Sequence, residues 1–387
     1  MKALLRRFLP ASVKAFIRRN ITDRPVFNVF RTSYKKKVLI SYITLPFRRA
    51  SLAHSNFFEV FTAAKIFNEL GYVVDVIHYE GRIPNLEGYD VIYGFGDVFQ
   101  RYFERQHGRD AKAIYYGAGM HVCHQNNVTL KRVKDVYRKK GIWLCHSSRY
   151  VEKAWTHQTA LSDGIIALGN DICAETYRKH YDGVVLSCPA PFYQTLDYKE
   201  VMLRRKLGAR NSYLWFGSAG LIHKGLDLCL EYFKSQPDLE LHVCGHLSLE
   251  PDFVKAYHSE LFETANIHVH GFVNIQSECF QQILESCSFV IFPSCSEGGS
   301  PSVLTAIGNG ALIPIVSRES SVTPKYGVSI EVLTFEGVAD AINKAINMTD
   351  DQIEACQVMS AELVLAENSI QNYERILRSH IVSLLEL

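Results

Sequence analysis

The residues best suited to chemistry lie in segment 291–317, IFPSCSEGGSPSVLTAIGNGALIPIVS, where an apolar strand leads through an acidic loop into a helix. Glu297 and Gly298–Gly299 occupy the loop. Ser300 suits the N-cap position, and Pro301 suits the first helical position, where a missing N–H costs nothing. Free N–H groups at a helix N-terminus attract anions, and a carboxylate beside them can bind sugar hydroxyls. The segment therefore predicts a nucleotide-sugar site.

A second glycine-rich loop, 216–225 (FGSAGLIHKG), links a strand to a helix in the second half of the chain. Gly217 and Gly220 would let the backbone approach a ligand closely. Lys224, at the predicted start of the helix, could contact a diphosphate as a point charge. A tight turn with a solvated lysine is the ordinary alternative, because any Rossmann unit has such a loop. The Glu297 loop, at the same edge of the predicted sheet, favours the phosphate site.

The composition is typical of a soluble globular protein. The chain has 387 residues, of which 47% are apolar and 21% charged, and this length most often holds two domains. The ten cysteines are scattered without a Cys-x-x-Cys pair, and we expect no secretory signal, which favours reduced thiols in the cytoplasm. No apolar run of about 18 residues is present, so no membrane span is expected.

The net charge of +2 conceals a basic N-terminal segment. Residues 1–37 hold eleven Lys/Arg and one acid, whereas the rest of the chain holds 31 Lys/Arg and 39 acids. One interpretation is an amphipathic anchor, residues 1–30, that lies on an anionic membrane surface. The other is an arm that packs on its own protein. Nucleic-acid binding is not expected, because the segment lacks an aromatic platform and the body is acidic.

From Lys37 onward strands and helices alternate, which predicts an α/β fold with two Rossmann-like, doubly wound domains. Such domains bind ligands in the cleft that faces the carboxyl ends of their strands. The predicted organisation is a basic segment 1–36, an acceptor domain 37–190, a hinge 191–206, a nucleotide-sugar domain 207–360, and a C-terminal helix 361–387 that could pack back on the first domain.

The motif order FGS…HKGLDL, HGFV and PSCSEGGSPSVLTAIGNGALIPIVS, over about residues 207–320, resembles the C-terminal domain of retaining GT-B glycosyltransferases of the group 1, or family 4, kind. YYGAGMHVCHQN and SDGIIALGND extend the resemblance weakly over the first domain. The resemblance implies a GT-B fold and a nucleoside-diphosphate sugar as donor substrate. It also implies transfer with retention and no obligatory metal. By family habit, the acceptor would be a lipid-linked glycan or a cell-surface polysaccharide.

In that family two glutamates, in a Glu-x7-Glu motif, bind the donor sugar and the ribose, and an Arg–Lys pair holds the diphosphate. Glu297 matches the first glutamate, while Thr305 stands at the second position and could still bond a ribose hydroxyl. Ser218 stands at the arginine position, and Lys224 matches the lysine. Phe272 and Val273 would contact the nucleobase. The other residues assigned to donor binding are Gly217, Ser218, Gly220, Lys224, Gly298, Gly299, Ser300, Ser302 and Thr305.

Two histidine-bearing stretches of the first domain are further candidates. His121 follows the fourth strand and would face the cleft, where similar enzymes place a histidine against the donor sugar; a surface histidine is the alternative. The neighbouring Cys123 and His124, with Cys145 and His146, lack zinc-finger spacing, so no metal is expected. His54 could touch an acceptor, but we favour a helix cap here because Ser55 is a good N-cap residue.

The catalytic residues are thus expected to be Glu297, His121 and Lys224. No carboxylate of the first domain stands out as a nucleophile, which favours a front-face mechanism in which the leaving phosphate helps to deprotonate the acceptor. Three alternatives stay open. An epimerase is one, a phosphorylase would need a lysine for PLP that the sequence does not make evident, and a degenerate GT-B scaffold or partner subunit is suggested by Thr305 and Ser218. The expected location is the cytoplasm, or the inner face of a membrane.

Overall fold

A computed structural model describes residues 23–49, 51–52, 54–105, 110–153 and 155–387. Within these ranges the chain forms two six-stranded parallel sheets. Near-continuous apolar runs such as 73–77 (VVDVI) and 289–292 (FVIF) form strands buried on both faces, as parallel sheets covered by helices require. The α/β class and the two Rossmann-like domains predicted from the alternation are confirmed. Within the described ranges, no helix is both long and apolar enough to cross a bilayer.

The first sheet and its helices, here called the first domain, have the strand order β2-β1-β3-β4-β5-β6. The strands are β1 (Lys36–Tyr42), β2 (Tyr72–His78), β3 (Val91–Gly94), β4 (Lys112–Gly117), β5 (Gly164–Leu168) and β6 (Val185–Cys188). The helices are α1 (Asn56–Glu69), α2 (Asp97–Phe103), α3 (Val122–Lys140), α4 (Trp155–Leu161) and α5 (Asp171–Arg178).

The second sheet and its helices, here called the second domain, have the strand order β12-β11-β10-β7-β8-β9. Its strands are β7 (Ser212–Phe216), β8 (Glu240–Cys244), β9 (Ile267–Gly271), β10 (Phe289–Phe292), β11 (Ile313–Ser317) and β12 (Val328–Ile330). Its helices are α6 (Tyr198–Leu203), α7 (Leu226–Lys234), α8 (Pro251–Ala256), α9 (His258–Phe262), α10 (Glu278–Ser286), α11 (Pro301–Gly310), α12 (Phe335–Ile346) and α13 (Asp350–Glu367); α14 (Ile370–Glu386) ends the chain.

The described part of the N-terminal segment lies along the edge strand β2. Val26 forms an antiparallel bridge with Val76, and the backbone N–H of Asn28 donates to Asp75 at 2.6 Å. These contacts cover an edge that would otherwise expose unpaired backbone groups. Residues 26–29, which the anchor interpretation included, are therefore engaged with the sheet. Residues 1–22, which carry the rest of the predicted anchor, lie outside the described residues.

The last helix, α14, returns to the first domain. The hydroxyl of Tyr373 lies 3.1 Å from that of Tyr116, and Lys65 on α1 forms a 2.7 Å ion pair with Glu374. His380 contacts the Ser187 carbonyl at 2.9 Å. Helix α13 runs through residue 360, the boundary predicted between the second domain and the terminal helix. The chain thus crosses between the domains twice, once after β6 and once before α14.

The many Lys and Arg residues of segment 128–140 predict a basic helix exposed to solvent, and the structure differs from this expectation in two ways. The helix begins six residues earlier, at Val122, and its basic side chains reach acids of the second domain. Arg132 pairs with Asp227 in a buried contact, and Lys139 pairs with Glu231 at 2.8 Å. The basic side chains of α3 face acidic side chains of the second domain across the cleft. The polar face of this helix therefore forms part of the surface between the domains and is not simply exposed to solvent.

The sequence predicts N-caps at Ser300 and Ser55 and an end of α11 at Asn309–Gly310; the three positions agree with the structure, but the groups that act there differ. Ser300 precedes α11, but its hydroxyl donates to the Ser320 carbonyl at 2.6 Å and caps no helical N–H. Ser55 precedes α1, and its hydroxyl donates to the Glu59 carboxylate at 2.8 Å. At the other end of α11, Ala311 rather than Gly310 adopts the left-handed conformation. Both hydroxyls are thus engaged by partners other than the helix amides.

Candidate active site

A cavity of about 490 Å³ lies between the two domains, at the carboxyl ends of their strands. This volume falls in the range of small-molecule sites, about 300–1,000 Å³. Both domains contribute to its walls. The first domain provides, among others, Tyr42, His54, Glu59, Arg149 and Tyr193, and the second provides Gly217, Ser218, Lys224, His246, Phe272, Val273, Glu297, Gly298, Ser300, Ser302 and Thr305.

Glu297 and Lys224 form a buried ion pair in this cavity. The Lys224 ammonium donates to Glu297 Oε1, and the side chains are 5% and 12% exposed. The Arg149 guanidinium of the first domain approaches the same oxygen, with Nη1 at 3.7 Å. The backbone N–H of Glu297 donates to the Glu319 carbonyl at 2.9 Å, which fixes the loop that carries the carboxylate. Two segments predicted separately, the acidic loop and the glycine-rich loop, therefore meet.

The electrostatic surroundings keep Glu297 ionised. Burial alone would raise the pKa of this carboxyl, but the charges of Lys224 and Arg149 outweigh that effect and lower it to about 2. Burial lowers the pKa of the Lys224 ammonium, while the Glu297 carboxylate opposes that change. Two cationic side chains, Lys224 and Arg149, thus lie against one carboxylate at this point of the cavity.

His223, next to Lys224, is a neutral structural residue of this cluster. Its side chain is fully buried, and Nε2 donates to the Ser296 carbonyl in the acidic loop. Nδ1 lies 3.2 Å from the hydroxyl of Thr129 on α3, across the domain boundary. Burial, together with the charge of Arg149, lowers the pKa of His223 to about 3. The neutral imidazole thus ties together the acidic loop, the glycine-rich loop and α3.

The glycine-rich loop is organised differently from its predicted form. Lys224 lies two residues before α7 and not at its first turn. The backbone N–H groups of Gly220 and Leu221, which could have bound a phosphate, donate to the buried carboxylate of Glu250. Gly220 accordingly does not line the cavity, whereas Gly217 and Ser218 do. The structure therefore places Gly220 outside the cavity lining, with its amide engaged by Glu250.

The start of α11 lines the cavity through Gly298, Ser300, Ser302 and Thr305. Gly299 does not, because it lies against the first domain with φ +74, and a Cβ there would be 2.4 Å from that of Ala190. At Gly299 the structure thus shows close packing between the domains. The Thr305 hydroxyl donates to the Pro301 carbonyl at 2.7 Å, so only its oxygen lone pairs are free to accept a bond.

The predicted base seat, Phe272 and Val273, also lines the cavity. The Phe272 ring is 53% exposed and stacks on the His246 imidazole, with ring centroids 4.3 Å apart and an interplanar angle of 13°. Val273 is buried beside it. An exposed, preformed aromatic platform next to an apolar floor can stack a nucleobase.

His121 does not face the cavity, contrary to expectation. It is 1% exposed and precedes α3, where Nδ1 accepts the Cys123 N–H at 3.3 Å and Nε2 lies 3.1 Å from the Thr159 hydroxyl. Burial, and then the neighbouring His180, lower its pKa to about 4. A histidine that follows the end of a strand can lie at a ligand site, but it can equally be the N-cap of the next helix, as His121 is here.

Among the described residues, one group has the ligand atoms a metal would need. It consists of His121, Cys123 and His180, whose side-chain ligand atoms lie within 4.8 Å of one another. Both nitrogens of His121 already have partners, and its ring stacks on that of His180 at 4.4 Å and 20°. Stacked imidazoles direct their lone pairs side by side and not toward one point, so the arrangement does not fit a metal centre.

Sequence reasoning missed Arg149 at the cavity, and for His54 it favoured a helix cap over contact with an acceptor. Arg149 lies in an irregular loop after α3, with no motif around it. His54 was assigned to a cap, but it lines the cavity, and its enclosure there lowers its pKa together with the charges of Lys224 and Arg149. Only its place directly before α1, at the carboxyl end of β1, could have indicated this, because strand ends face the ligand in such sheets.

Glu59 is a second missed residue, and its role differs. It lines the cavity from α1, yet its carboxylate accepts hydrogen bonds from Tyr42 at 2.8 Å, Ser55 at 2.8 Å and Tyr116 at 3.1 Å. Burial raises its pKa against the effect of these bonds. With Tyr373 contacting Tyr116, the group connects α1, the first sheet and α14.

Two facing Rossmann-like domains with the candidate site between them define the GT-B glycosyltransferase fold. No protein-family model matches the chain, and no curated protein matches it in sequence. Solved structures do match. The sucrose-phosphate synthase of Thermosynechococcus elongatus matches with a TM-score of 0.64 and 13% identity, over 91% of this chain and 99% of that chain.

Two further solved structures match over similar lengths. The Anabaena protein HepE, in complex with UDP and glucose, has a TM-score of 0.57 and 11% identity, over 91% of this chain and all of that chain (100%). A glycosyltransferase from Rickettsia africae has a TM-score of 0.57 and 10% identity, over 91% of this chain and 99% of that chain. The predicted GT-B fold is thereby confirmed.

Proposed function

We propose that the protein is a retaining glycosyltransferase that moves a sugar from a nucleoside-diphosphate sugar to a lipid-linked or cell-surface polysaccharide acceptor. The observation that carries the proposal is the ionised Glu297, paired with Lys224 at the interdomain cavity and followed directly by the helix N-terminus of α11. The fold is shared with sucrose-phosphate synthase and with HepE, whose structure contains UDP and glucose. A nucleotide-sugar donor is therefore the natural ligand of this cavity.

The cavity walls supply a partner for each part of such a donor. The Phe272–Val273 surface would bind the base, and the Thr305 oxygen would accept a bond from a ribose hydroxyl. Lys224 and the N-terminal turn at Ser302 would stabilise the negative charge that develops on the leaving diphosphate. Glu297 would lie against the donor sugar, where its carboxylate can accept bonds from hydroxyl groups.

The carboxylates of the cavity favour a front-face reaction over a covalent intermediate. Glu297 and Glu59 are the acids among the described residues that line it. Glu59 is held by two tyrosines and a serine, and Glu297 is held by Lys224. With both carboxylates engaged, the donor's own leaving phosphate would accept the acceptor proton as the new glycosidic bond forms on the same face.

The acceptor would enter from the first-domain wall, near His54 and Tyr193. The basic residues at the start of the chain, eleven Lys/Arg within residues 1–37, suit an acceptor presented at an anionic membrane surface. This places the proposed reaction in the cytoplasm, on the inner face of the membrane. Co-sedimentation with anionic vesicles, compared between the full chain and a chain lacking residues 1–22, tests that part separately.

A catalytically degenerate scaffold is the second candidate, because Thr305 and Ser218 replace two residues of the family motif. The experiment that separates the candidates is a thermal shift against UDP, GDP, ADP and CMP and their sugar conjugates. We expect one nucleotide to stabilise the wild type, since a ligand at 100 times its Kd adds about 2.7 kcal/mol to the free energy of unfolding. Lys224→Ala should lose most of that shift, and the exposed control Lys344→Ala should keep it.

Turnover gives the second arm of the experiment. With the donor that the thermal shift identifies, donor hydrolysis or transfer should fall at least a hundredfold in Glu297→Gln, while the exposed control Glu331→Gln keeps the wild-type rate. Absence of any nucleotide shift in the wild type would favour the scaffold. Trapping of a covalent glycosyl-enzyme would contradict the front-face mechanism.

A further inference from the structure

The cavity contains a second cation that the sequence motif does not provide. Arg149 belongs to the first domain, but its guanidinium Nη1 lies 3.7 Å from Glu297 Oε1 of the second domain. Its side chain passes over the glycine-rich loop so closely that a Cβ at Gly220 would be 2.5 Å from Arg149 Cδ. Its side chain is 43% exposed and lines the same cavity as Lys224 and Ser218. Arg149 is therefore both fixed near the cluster and open to a ligand.

The loop that carries Arg149 is docked on the second domain. The carboxylate of Asp252, on α8, accepts bonds from the His146 N–H at 2.7 Å, the Ser147 N–H at 3.3 Å and the Ser147 hydroxyl at 2.7 Å. On the other side, Gln125 donates to the Arg149 carbonyl at 2.8 Å. Because the loop is held from both domains, the position of the guanidinium follows from their docking.

The charges of the cavity show why a second cation is required. Lys224 and Glu297 neutralise each other, and the Gly220 and Leu221 amides are already bonded to Glu250. Ser218 adds no charge at the position where the family motif has an arginine. Lys224 and Glu297 together therefore give a diphosphate no net attraction. Arg149 supplies a positive charge beside this pair that Glu297 alone does not cancel.

We propose that Arg149 is the second diphosphate-binding cation, supplied from the first domain in place of an arginine at position 218. The proposal rests on the proposed donor site. A guanidinium can contact two phosphate oxygens at once, which an ammonium cannot. Since Lys224 and Arg149 come from different domains, the diphosphate site is complete only when the domains are docked. Asp252 acts as a positioning residue, because it holds the loop and does not reach the cavity.

The test measures binding of inorganic pyrophosphate, UDP, GDP, ADP and CMP by isothermal titration calorimetry. Arg149→Ala should lower the affinity for pyrophosphate, and for the nucleoside diphosphate that binds the wild type, roughly tenfold to a hundredfold. This is the loss expected when a charged hydrogen bond is removed. The parent nucleoside should bind equally to both proteins. Arg149→Lys should recover part of the loss. Lys153→Ala, on the same loop but outside the cavity, should bind pyrophosphate like the wild type.

Asp252→Asn should weaken pyrophosphate binding a few-fold, and Arg149→Ala/Asp252→Asn should be no weaker than Arg149→Ala alone, because Asp252 acts through Arg149. Full affinity in Arg149→Ala with reduced affinity in Lys224→Ala would overturn the role of Arg149 and leave the proposed function intact. An equal loss of pyrophosphate affinity in Lys153→Ala would mean that the overall positive charge of the loop, and not a direct contact by Arg149, determines binding. That result would also overturn the role of Arg149. A wild type that binds neither pyrophosphate nor any nucleoside diphosphate would refute both proposals.

Discussion

The buried ion pair between Arg132 and Asp227 joins α3 of the first domain to α7 of the second, and removing one partner should destabilise the protein strongly. Arg132 is 4% exposed and Asp227 is 1% exposed. In Asp227→Ala the guanidinium would remain buried without its counter-charge, which typically costs about 3–5 kcal/mol. Asp135 lies 4.0 Å from Arg132 Nη1 and can take over part of the interaction. We therefore expect a loss of about 3 kcal/mol.

Replacing both partners should cost much less than the sum of the single changes. Arg132 Nε and Asp227 Oδ1 have no hydrogen-bond partner among the described residues, so the pair is incompletely compensated for its desolvation. Arg132→Met/Asp227→Leu, of similar volume, should lie within about 1 kcal/mol of the wild type. The corresponding double-mutant cycle would then give a coupling of a few kcal/mol.

Urea unfolding at pH 7, followed by tryptophan fluorescence, measures these free energies. Glu200→Ala, which removes one partner of the exposed Arg204–Glu200 pair, is the matched control and should change the stability by less than about 1 kcal/mol. If Asp227→Ala unfolds within 1 kcal/mol of the wild type, the pair does not hold the domains together in the way argued here.

Two further perturbations separate roles within the site. The pKa of His223 is lowered to about 3 in the folded protein, so below pH 6.5 the unfolded chain takes up a proton that the folded protein does not, and the free energy of unfolding falls by roughly 1.4 kcal/mol per pH unit. In urea titrations His223→Gln should therefore lose less stability than the wild type between pH 6.5 and 4.5. An unchanged slope would contradict the assignment. Thr305→Val should weaken the binding of a nucleoside diphosphate roughly two- to tenfold, which corresponds to the free energy of one neutral hydrogen bond. The affinity for pyrophosphate, which has no ribose, should stay constant. An equal loss of pyrophosphate affinity would place Thr305 away from the ribose.

Much of the fold could be predicted because its signals are local. Apolar runs bounded by glycine, and helices with apolar residues every three or four positions, gave the alternation from which two parallel sheets follow. The strands that were missed, β6 and β12, have only four and three residues. Strands β3 and β10 are equally short but fully buried, whereas β6 (VLSC) and β12 (VSI) carry a polar residue within the run and are only partly buried, so no continuous apolar run marks them. The N-terminal residues along β2 were missed for a different reason, because a single bridge leaves no pattern in sequence.

The residues of the site likewise fall into those that a local sequence pattern predicts and those that only the tertiary fold brings together. Glu297, Gly298 and Ser302 could be predicted to lie together because they belong to one short segment, the acidic loop and the first turn of α11, where spacing along the chain determines spacing in the fold. Arg149 and Glu297 are 148 positions apart, and only the docking of two domains brings them together. Glu250 is likewise 30 residues from the Gly220 amide that it accepts from. No local pattern reports such contacts, so the engagement of the Gly220 amide by Glu250 could not be predicted from the loop alone.

The charged cluster also bears on whether the substitutions at 218 and 305 indicate loss of activity. Glu297 and Lys224 are almost fully enclosed, and a buried pair of this kind adds little stability compared with apolar side chains of the same volume. A scaffold would therefore gain nothing from maintaining two cations and a carboxylate at a cavity between its domains. A protein that binds an anionic donor does gain, because the excess positive charge attracts the diphosphate and the ionised carboxylate can accept bonds from the sugar. In the proposed donor site, Arg149 across the cleft supplies the cation that Ser218 does not, which argues for relocation of that charge over decay of the site.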